Sequence, residues 1–361
     1  MKNKLTIRLA LLILCAFSMN TAFAGDVRKQ TVVKEQSTTK YTDEVTTAKW
    51  NRAWDFSEGL GAVMDSNDKW GYIDKTGQVV IPCRWDSTVV FREDLAAVRD
   101  TNKKWGYIDK TGKVVIPCKW NRTREFREGL AWVKDDNDKY GFIDKTGQVV
   151  IPCKWEGTKY FSEGLAAVKD SNGKWGYIDK TGQVVIPCQW DEAWYFSEGL
   201  AVIEDANGKS GYIDKTGKVV VPCQWKAEGP FSEGLASVRD ANGKWGFIDK
   251  TGQIVIPSQW GDVWSFNEGL ASVRDANGKY GYIDKTGKVV TPCKWDRTWE
   301  FSEGLAAVKK SNGKWGFIDK KGKVVISCQW KFAYSFHEGL AVVRDANGKY
   351  GYIDKTGKVV K

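Results

Sequence analysis

The chain has 361 residues, with 55 Lys plus Arg against 45 Asp plus Glu, a formal net charge of +10, 19 Trp and a single His. The basic excess is modest and its charges are interleaved with acids, as in Arg99-Asp100 and Lys169-Asp170. This argues for a mixed solvated surface and against a nucleic-acid-binding stripe. One histidine leaves no His-based triad and no histidine-rich zinc site to assemble, and no cofactor is expected.

Residues 1–24 read as a cleaved export signal. Lys2, Lys4 and Arg8 form a basic start, residues 9–17 are apolar, and Ala22-Phe23-Ala24 is a small-x-small site before Gly25. The apolar run is shorter than the roughly 17–25 residues a spanning helix needs, and no later stretch approaches that. The protein is therefore expected to be periplasmic or extracellular, without a transmembrane segment. Residues 25–49 are polar and mixed in charge, and read as an N-terminal tether or cap.

From Trp70-Gly71 onward one 35-residue pattern returns at 105, 140, 175, 210, 245, 280, 315 and 350 without insertion or deletion. Residues 50–361 thus form one array of nine units, each a supersecondary element that buries its apolar face only against a neighbour. In the unit around residues 165–190, Leu165-Ala-Ala-Val168, Trp175-Gly-Tyr-Ile178 and Val184-Val-Ile186 are short apolar runs. Ser171-Asn172-Gly173 and Asp179-Lys-Thr-Gly182 between them carry turn chemistry. The pattern predicts a three-stranded antiparallel meander in each unit. Pro at 82, 117, 152, 187, 222, 257 and 292 removes a backbone donor, so the third strand should stop there or lie at an edge.

The string Lys174-Trp-Gly-Tyr-Ile-Asp-Lys-Thr-Gly182, then Val184-Val-Ile-Pro187, Trp190 and Phe196-Ser-Glu-Gly-Leu-Ala201, resembles the WG (KWG) repeat family of bacteria over residues 50–361. The resemblance implies a β-rich repeat protein with no family-wide catalytic residues. Tyr140, Ser210, Tyr280 and Tyr350 replace the signature Trp, Asp94 replaces the Gly of Glu-Gly-Leu, and Lys310 replaces an Asp before a turn. Tyr fills the same apolar slot whereas Ser does not, so the unit around Ser210 is expected to be the loosest.

The expected fold is all-β: nine three-stranded units in an open twisted solenoid, with a closed β-propeller-like ring as the alternative. No complementary division of a unit between the chain ends is evident, and an open array needs no particular copy number. Fourteen Trp occupy two repeat positions, 70, 105, 175, 245 and 315, and 50, 85, 120, 155, 190, 225, 260, 295 and 330, and are expected to supply the packing between units. Cys83, Cys118, Cys153, Cys188, Cys223, Cys293 and Cys328 share one repeat position and are expected to be small buried thiols, with bridges between neighbouring units as the alternative.

Only the five residues after the second Trp vary strongly between copies, at 51–55, 86–90, 121–125, 156–160, 191–195, 226–230, 261–265, 296–300 and 331–335. They predict binding loops carrying Arg52, Trp54, Arg122, Arg124, Tyr160, Trp194, Tyr195, Trp264, Arg297, Trp299 and Tyr334. The alternative is drift in an unconstrained loop. Asp170-Ser-Asn172-Gly is too short for a calcium loop, and the recurring Glu58, Glu128 and Glu163 lack the contrasting environments of a catalytic pair. The Glu is expected instead to satisfy backbone donors before the first strand. The sequence points to an exported, non-enzymatic scaffold binding a macromolecule, most simply a protein, over several units. The rivals are a glycan- or peptidoglycan-binding module using the loop Trp rings and, more distantly, an envelope polysaccharide hydrolase.

Overall fold

A computed structural model describes residues 48–360, with backbone only at Ala227 and Glu228. The expected export signal and nearly all of the expected tether lie outside the described residues. The first unit forms β1 (Arg52–Ser57), β2 (Leu60–Met64), β3 (Trp70–Ile73) and β4 (Val79–Trp85), paired antiparallel in that order. The same sheet recurs nine times, eight times with four strands and once with three. The expected three-stranded meander is thus corrected. The apolar runs are β2, β3 and β4, and the variable segment enters a strand too, because its Ala53 and the repeated Phe56 just after it are apolar and buried in the core.

The turns follow from their residues. Between β1 and β2, Glu58 and Gly59 have φ of 54° and 85°, the two left-handed positions of a tight primed hairpin. Between β3 and β4, Gly77 sits at φ 86° and donates to Asp74 C=O at 3.0 Å, while Asp74 Oδ1 accepts from Thr76 N–H at 2.8 Å and Gln78 N–H at 3.0 Å. This is the Asp-Lys-Thr-Gly turn expected from sequence. The Gly of the Trp-Gly signature answers a different need. A Cβ on Gly71 would lie 2.4 Å from Ile81 O and 2.7 Å from Cys83 N, so the backbone of β4 approaches where only glycine leaves room. Strand β4 runs through Pro82 without stopping, because it is a sheet edge and its register breaks there.

Packing between sheets is repeated all the way around. Tyr72 packs edge-on to Phe91 of the next sheet at 4.8 Å between centroids, and the pair recurs from Tyr107–Phe126 through Phe317–Phe336. The ninth copy joins the ends: Tyr352 of the last sheet packs on Phe56 of the first, again at 4.8 Å. One core cluster accordingly combines Ala53, Phe56, Val63 and Ile73 with Leu340, Val342 and Tyr352. Nine interfaces for nine sheets make a closed ring, a nine-bladed β-propeller.

This overturns the open solenoid. An open array leaves two apolar sheet faces to solvent, whereas closure covers both at about 25 cal/mol per Å² of apolar area. The ends also share a strand after all. In the first sheet Trp70 pairs with Trp85 of β4; in the ninth, Tyr350 pairs with Trp50 and Ile353 with Val359. The outer edge of the last blade is therefore built from residues near both ends of the chain. Ala48 occupies the place of the recurring Cys, its Cα 3.2 Å from where a Gly351 Cβ would be.

Of the fourteen repeat Trp, Trp50, Trp70, Trp85, Trp120, Trp155, Trp175, Trp295, Trp315 and Trp330 are buried and the others half-buried, as core packing requires. The seven repeat cysteines are half-buried, and among the described residues none is joined in a disulfide. Cys83, Cys118, Cys188 and Cys293 point their thiols at a valine carbonyl of the same sheet at 3.9 Å.

Candidate functional site: the inner strands and the mouth of the ring

Two edges of each sheet are available, and the structure distinguishes them. The β4-type strands expose their valines, Val79 at 50% for example, and form the rim. The β1-type strands converge: Ser57 Oγ donates to Phe91 C=O of the next sheet at 2.7 Å, and Tyr160 stacks on Tyr195 of the next sheet at 4.8 Å. The variable segments therefore surround the axis. In the first sheet the register of β1 breaks between Ala53 and Phe56, so Trp54 and Asp55 leave the ladder while the residues on either side keep facing the core.

The residues singled out from sequence lie on these strands and the segment just after them, on seven of the nine blades. Trp54 stacks on Trp70 of its own sheet at 5.7 Å and 9°, and Trp299 on Trp315 at 6.0 Å and 15°. Trp299 Nε1 also donates to Ala333 C=O of the next sheet at 3.0 Å, and Trp264 meets Trp299 edge-on at 5.9 Å. Trp194 packs against the cluster shared by the fifth and sixth sheets. These half-buried rings wedge between successive inner strands. Tyr334 packs edge-on to Phe332 at 4.8 Å. Arg52, Arg122 and Arg297 are exposed, whereas Arg124 is half-buried and burial holds its guanidinium below its ordinary pKa.

Sequence reasoning missed several neighbours. Lys159 lies 4.9 Å over the Trp175 ring, with burial pushing its pKa down. Asp55 keeps 24% of its side chain exposed yet is enclosed by surrounding blades, and burial pushes its carboxyl up to about 6 against the opposing pull of His337. His337 Nε2 stands 3.6 Å from Asp55 across the seam between the last and first blades. Glu300 at the equivalent position is also raised by burial, whereas Glu125 is paired with Arg127 at 3.1 Å.

At the mouth, the Glu of each Glu-Gly hairpin reaches the next blade. Glu128 accepts from Gly164 N–H at 3.0 Å, Glu163 from Gly199 at 3.1 Å, and so on to Glu303 and Gly339 at 3.0 Å. Glu338 then accepts from Gly59 at 2.9 Å, which closes the circle. Each Glu also holds a lysine, from Lys110–Glu58 at 3.1 Å to Lys355–Glu303 and Lys75–Glu338, both at 3.0 Å. The expectation that this Glu satisfies backbone donors is met, although the donors belong to the next blade. Among the described residues no group of three or more His, Cys, Asp or Glu side chains is arranged to hold a metal ion. Asp170 Oδ1 accepts from Asn172 and Lys174 N–H at 2.9 Å, as a turn carboxylate does.

Comparison with family models agrees with the repeat. A family model described as WG containing repeat matches nine successive segments, from 43–70 and 70–105 through 315–350. No curated protein matches the chain. Among solved structures, the computationally designed Ika8 protein is 14% identical with a TM-score of 0.47, the alignment covering 74% of this chain and 95% of that one. BamB from Moraxella catarrhalis is 11% identical with a TM-score of 0.44, over 75% of this chain and 99% of that one.

Proposed function

The chain belongs to the WG repeat family, and on that footing we propose that it is an exported, non-catalytic ring scaffold that binds a protein partner across the inner strands of several blades. One observation supports the reading: on a scaffold repeated nine times, the variable residues lie on the innermost strand of each sheet and the segment just after it. Repeated core positions answer to packing, whereas variation confined to a converging surface suits contacts to one irregular partner. Weak contacts on a rigid ring add through effective concentration, so no blade needs a strong site. Near-identical blades also supply little of the asymmetry that acid–base catalysis requires.

Glycan binding by the inner-strand Trp rings is the competing reading. Trp54 and Trp299 are half-exposed beside Asp55 and Glu300, which favours it, but each already stacks on a signature Trp.

The test is capture of partners from envelope and extracellular fractions by residues 25–361 and by an Arg52, Arg122, Arg297→Ala variant. These three side chains are exposed, so the variant should fold, which circular dichroism checks. A protein retained by the parent and lost by the variant supports the proposal. Equal retention by both removes the inner strands from it, and retention of polysaccharide alone transfers the function to the glycan reading. Export is checked by mass spectrometry of the mature N-terminus, expected at Gly25.

A further inference from the structure

Three acids share one repeat position at the inner edge of the sheets: Asp55, Glu125 and Glu300, on the first, third and eighth blades. The third blade neutralises its own acid, because two residues further on it carries Arg127, whose guanidinium donates to Glu125 at 3.1 Å. The first and eighth blades have Ser57 and Ser302 there instead, and these hydroxyls donate to Phe91 and Phe336 C=O of the next blade at 2.7 and 2.6 Å. The Glu300 carboxylate therefore has no hydrogen bond or ion pair among the described residues, and Asp55 faces only His337 Nε2, at 3.6 Å.

The surrounding groups supply no further cation. The hairpin glutamates of the eighth, ninth and first blades already hold Lys355, Lys75 and Lys110 at 3.0–3.1 Å, and Lys110 is shared with Asp94. Tyr282 faces Glu300 and Tyr352 faces Asp55, but their hydroxyls donate to Trp299 and Trp54 C=O at 2.6 and 2.8 Å. When both acids are ionised, two carboxylates against one histidine leave at least one negative charge in excess. A half-buried carboxylate without a partner costs stability, and burial raises both carboxyls accordingly. A residue that costs stability and holds nothing in the fold marks a functional position.

The setting decides which cation fits. Only the ninth blade separates the two acids, and it places Ser335 at their position, with Oγ 3.5 Å from Glu300 C=O. The preceding position carries large half-buried rings on four consecutive blades, Trp264, Trp299, Tyr334 and Trp54, whereas the other blades have Val89, Arg124, Lys159, Trp194 and Gly229 there. Among the described residues the acids have no third ligand arranged with them for a metal ion. A guanidinium is weakly hydrated, stacks on aromatic faces and has five donors to divide between separate acceptors, which suits this sector better than a strongly hydrated ammonium.

We propose, resting on the protein-binding reading above, that the sector formed by the eighth, ninth and first blades receives an arginine side chain from a basic segment of the partner, with Glu300 and Asp55 as the residues that bind it.

The probe is a fluorescein-labelled decapeptide of alternating Arg and Gly, titrated by anisotropy at physiological ionic strength and neutral pH against residues 25–361 and against Glu300→Gln and Asp55→Asn variants. The chain's net charge of +10 disfavours such a peptide elsewhere on its surface. Each substitution should weaken binding about tenfold or more, and a Lys-Gly decapeptide should bind the parent more weakly than the Arg-Gly one. Because the Glu300 carboxylate has no partner to lose, Glu300→Gln should melt no lower than the parent. Absence of binding to the parent, equal binding by both variants, or a midpoint several degrees lower in Glu300→Gln would each overturn the proposal. Equal affinity for the Lys-Gly peptide would overturn the arginine assignment. A protein captured through Arg52, Arg122 and Arg297 while the arginine peptide goes unbound would sink this inference and leave the scaffold reading standing.

Discussion

Trp50 and Tyr350 exchange two backbone hydrogen bonds, Trp50 N–H to Tyr350 C=O at 3.2 Å and Tyr350 N–H to Trp50 C=O at 2.9 Å. They stand at opposite ends of the repeat array and take the places that Trp85 and Trp70 hold within the first sheet. Lys349 Nζ reaches Asn51 Oδ1 at 2.6 Å and Tyr352 OH donates to Trp54 C=O at 2.8 Å, so the seam repeats the contacts of the other interfaces.

Weakening this seam should cost stability out of proportion to one residue, because each end blade would lose its neighbour. Trp50→Ala removes a buried ring, at about 3–5 kcal/mol. Differential scanning calorimetry should show a lower, broader transition, and small-angle scattering a larger radius of gyration than the parent's compact ring. An unchanged scattering profile and midpoint would contradict closure through these residues.

The hairpin glutamates predict an acid sensitivity. At Glu163, burial pulls the carboxyl pKa up, but Lys215 and the N–H groups of Gly199 and Glu198 outweigh it and hold the value below the ordinary glutamate range; Glu303 and Glu338 behave alike. A carboxyl depressed by folding contributes stability that is present above its unfolded pKa and lost as pH falls through the folded value. The thermal midpoint should therefore drop as pH is lowered below about 4.5, and salt should blunt the effect. Glu163→Ala should cost about 1–2 kcal/mol. Glu163→Gly should cost less, since Glu163 sits at φ 54° where glycine is unstrained.

Asp55 predicts the opposite sign. Its folded pKa is raised, so the folded state holds the proton more tightly, and stability falls as pH rises from about 4 through 6. Asp55→Asn should raise stability at pH 7 by on the order of 2 kcal/mol and change little below pH 4, as urea denaturation at the two pH values would show. Equal effects at both would assign the gain to packing.

Ser210 is buried in the slot that Trp70, Trp105 and Trp175 fill elsewhere, with Trp194 on the inner strand of its own sheet. Ser210→Trp should restore the stacked pair that Trp54 and Trp70 form and raise stability by about 1 kcal/mol. Hydrogen exchange should show slower exchange of the 200–214 amides in the variant. Faster exchange there would mean that the slot has closed around the serine.

Much of this was legible in the chain. The 35-residue period, the Asp-Lys-Thr-Gly turn and the packing role of Trp70 and Trp85 follow from residue chemistry within one unit. The first strand was not legible, because outside the first, fifth and ninth blades it pairs over only two residues, as at Ser87–Thr88, and its sequence changes from blade to blade. The shared outer strand could have been noticed: Lys358-Val-Val360-Lys361 lacks the Trp-terminated segment, Pro-Cys-x-Trp in most copies, that follows the other eight, while Ala48-Lys49-Trp50 precedes the first unit.

The sequence by itself determined most of the unit: which residues turn, which three apolar runs pair, and that each unit must bury its apolar surface against copies of itself. Those are short-range matters, settled by φ preferences and by apolar residues at fixed spacings. Whether the ninth copy meets the first was decided only in the tertiary structure. The rotation from one sheet to the next is a small angle set by side-chain packing between blades, and summed nine times it determines whether the faces of the first and last sheets are left to solvent or buried against each other.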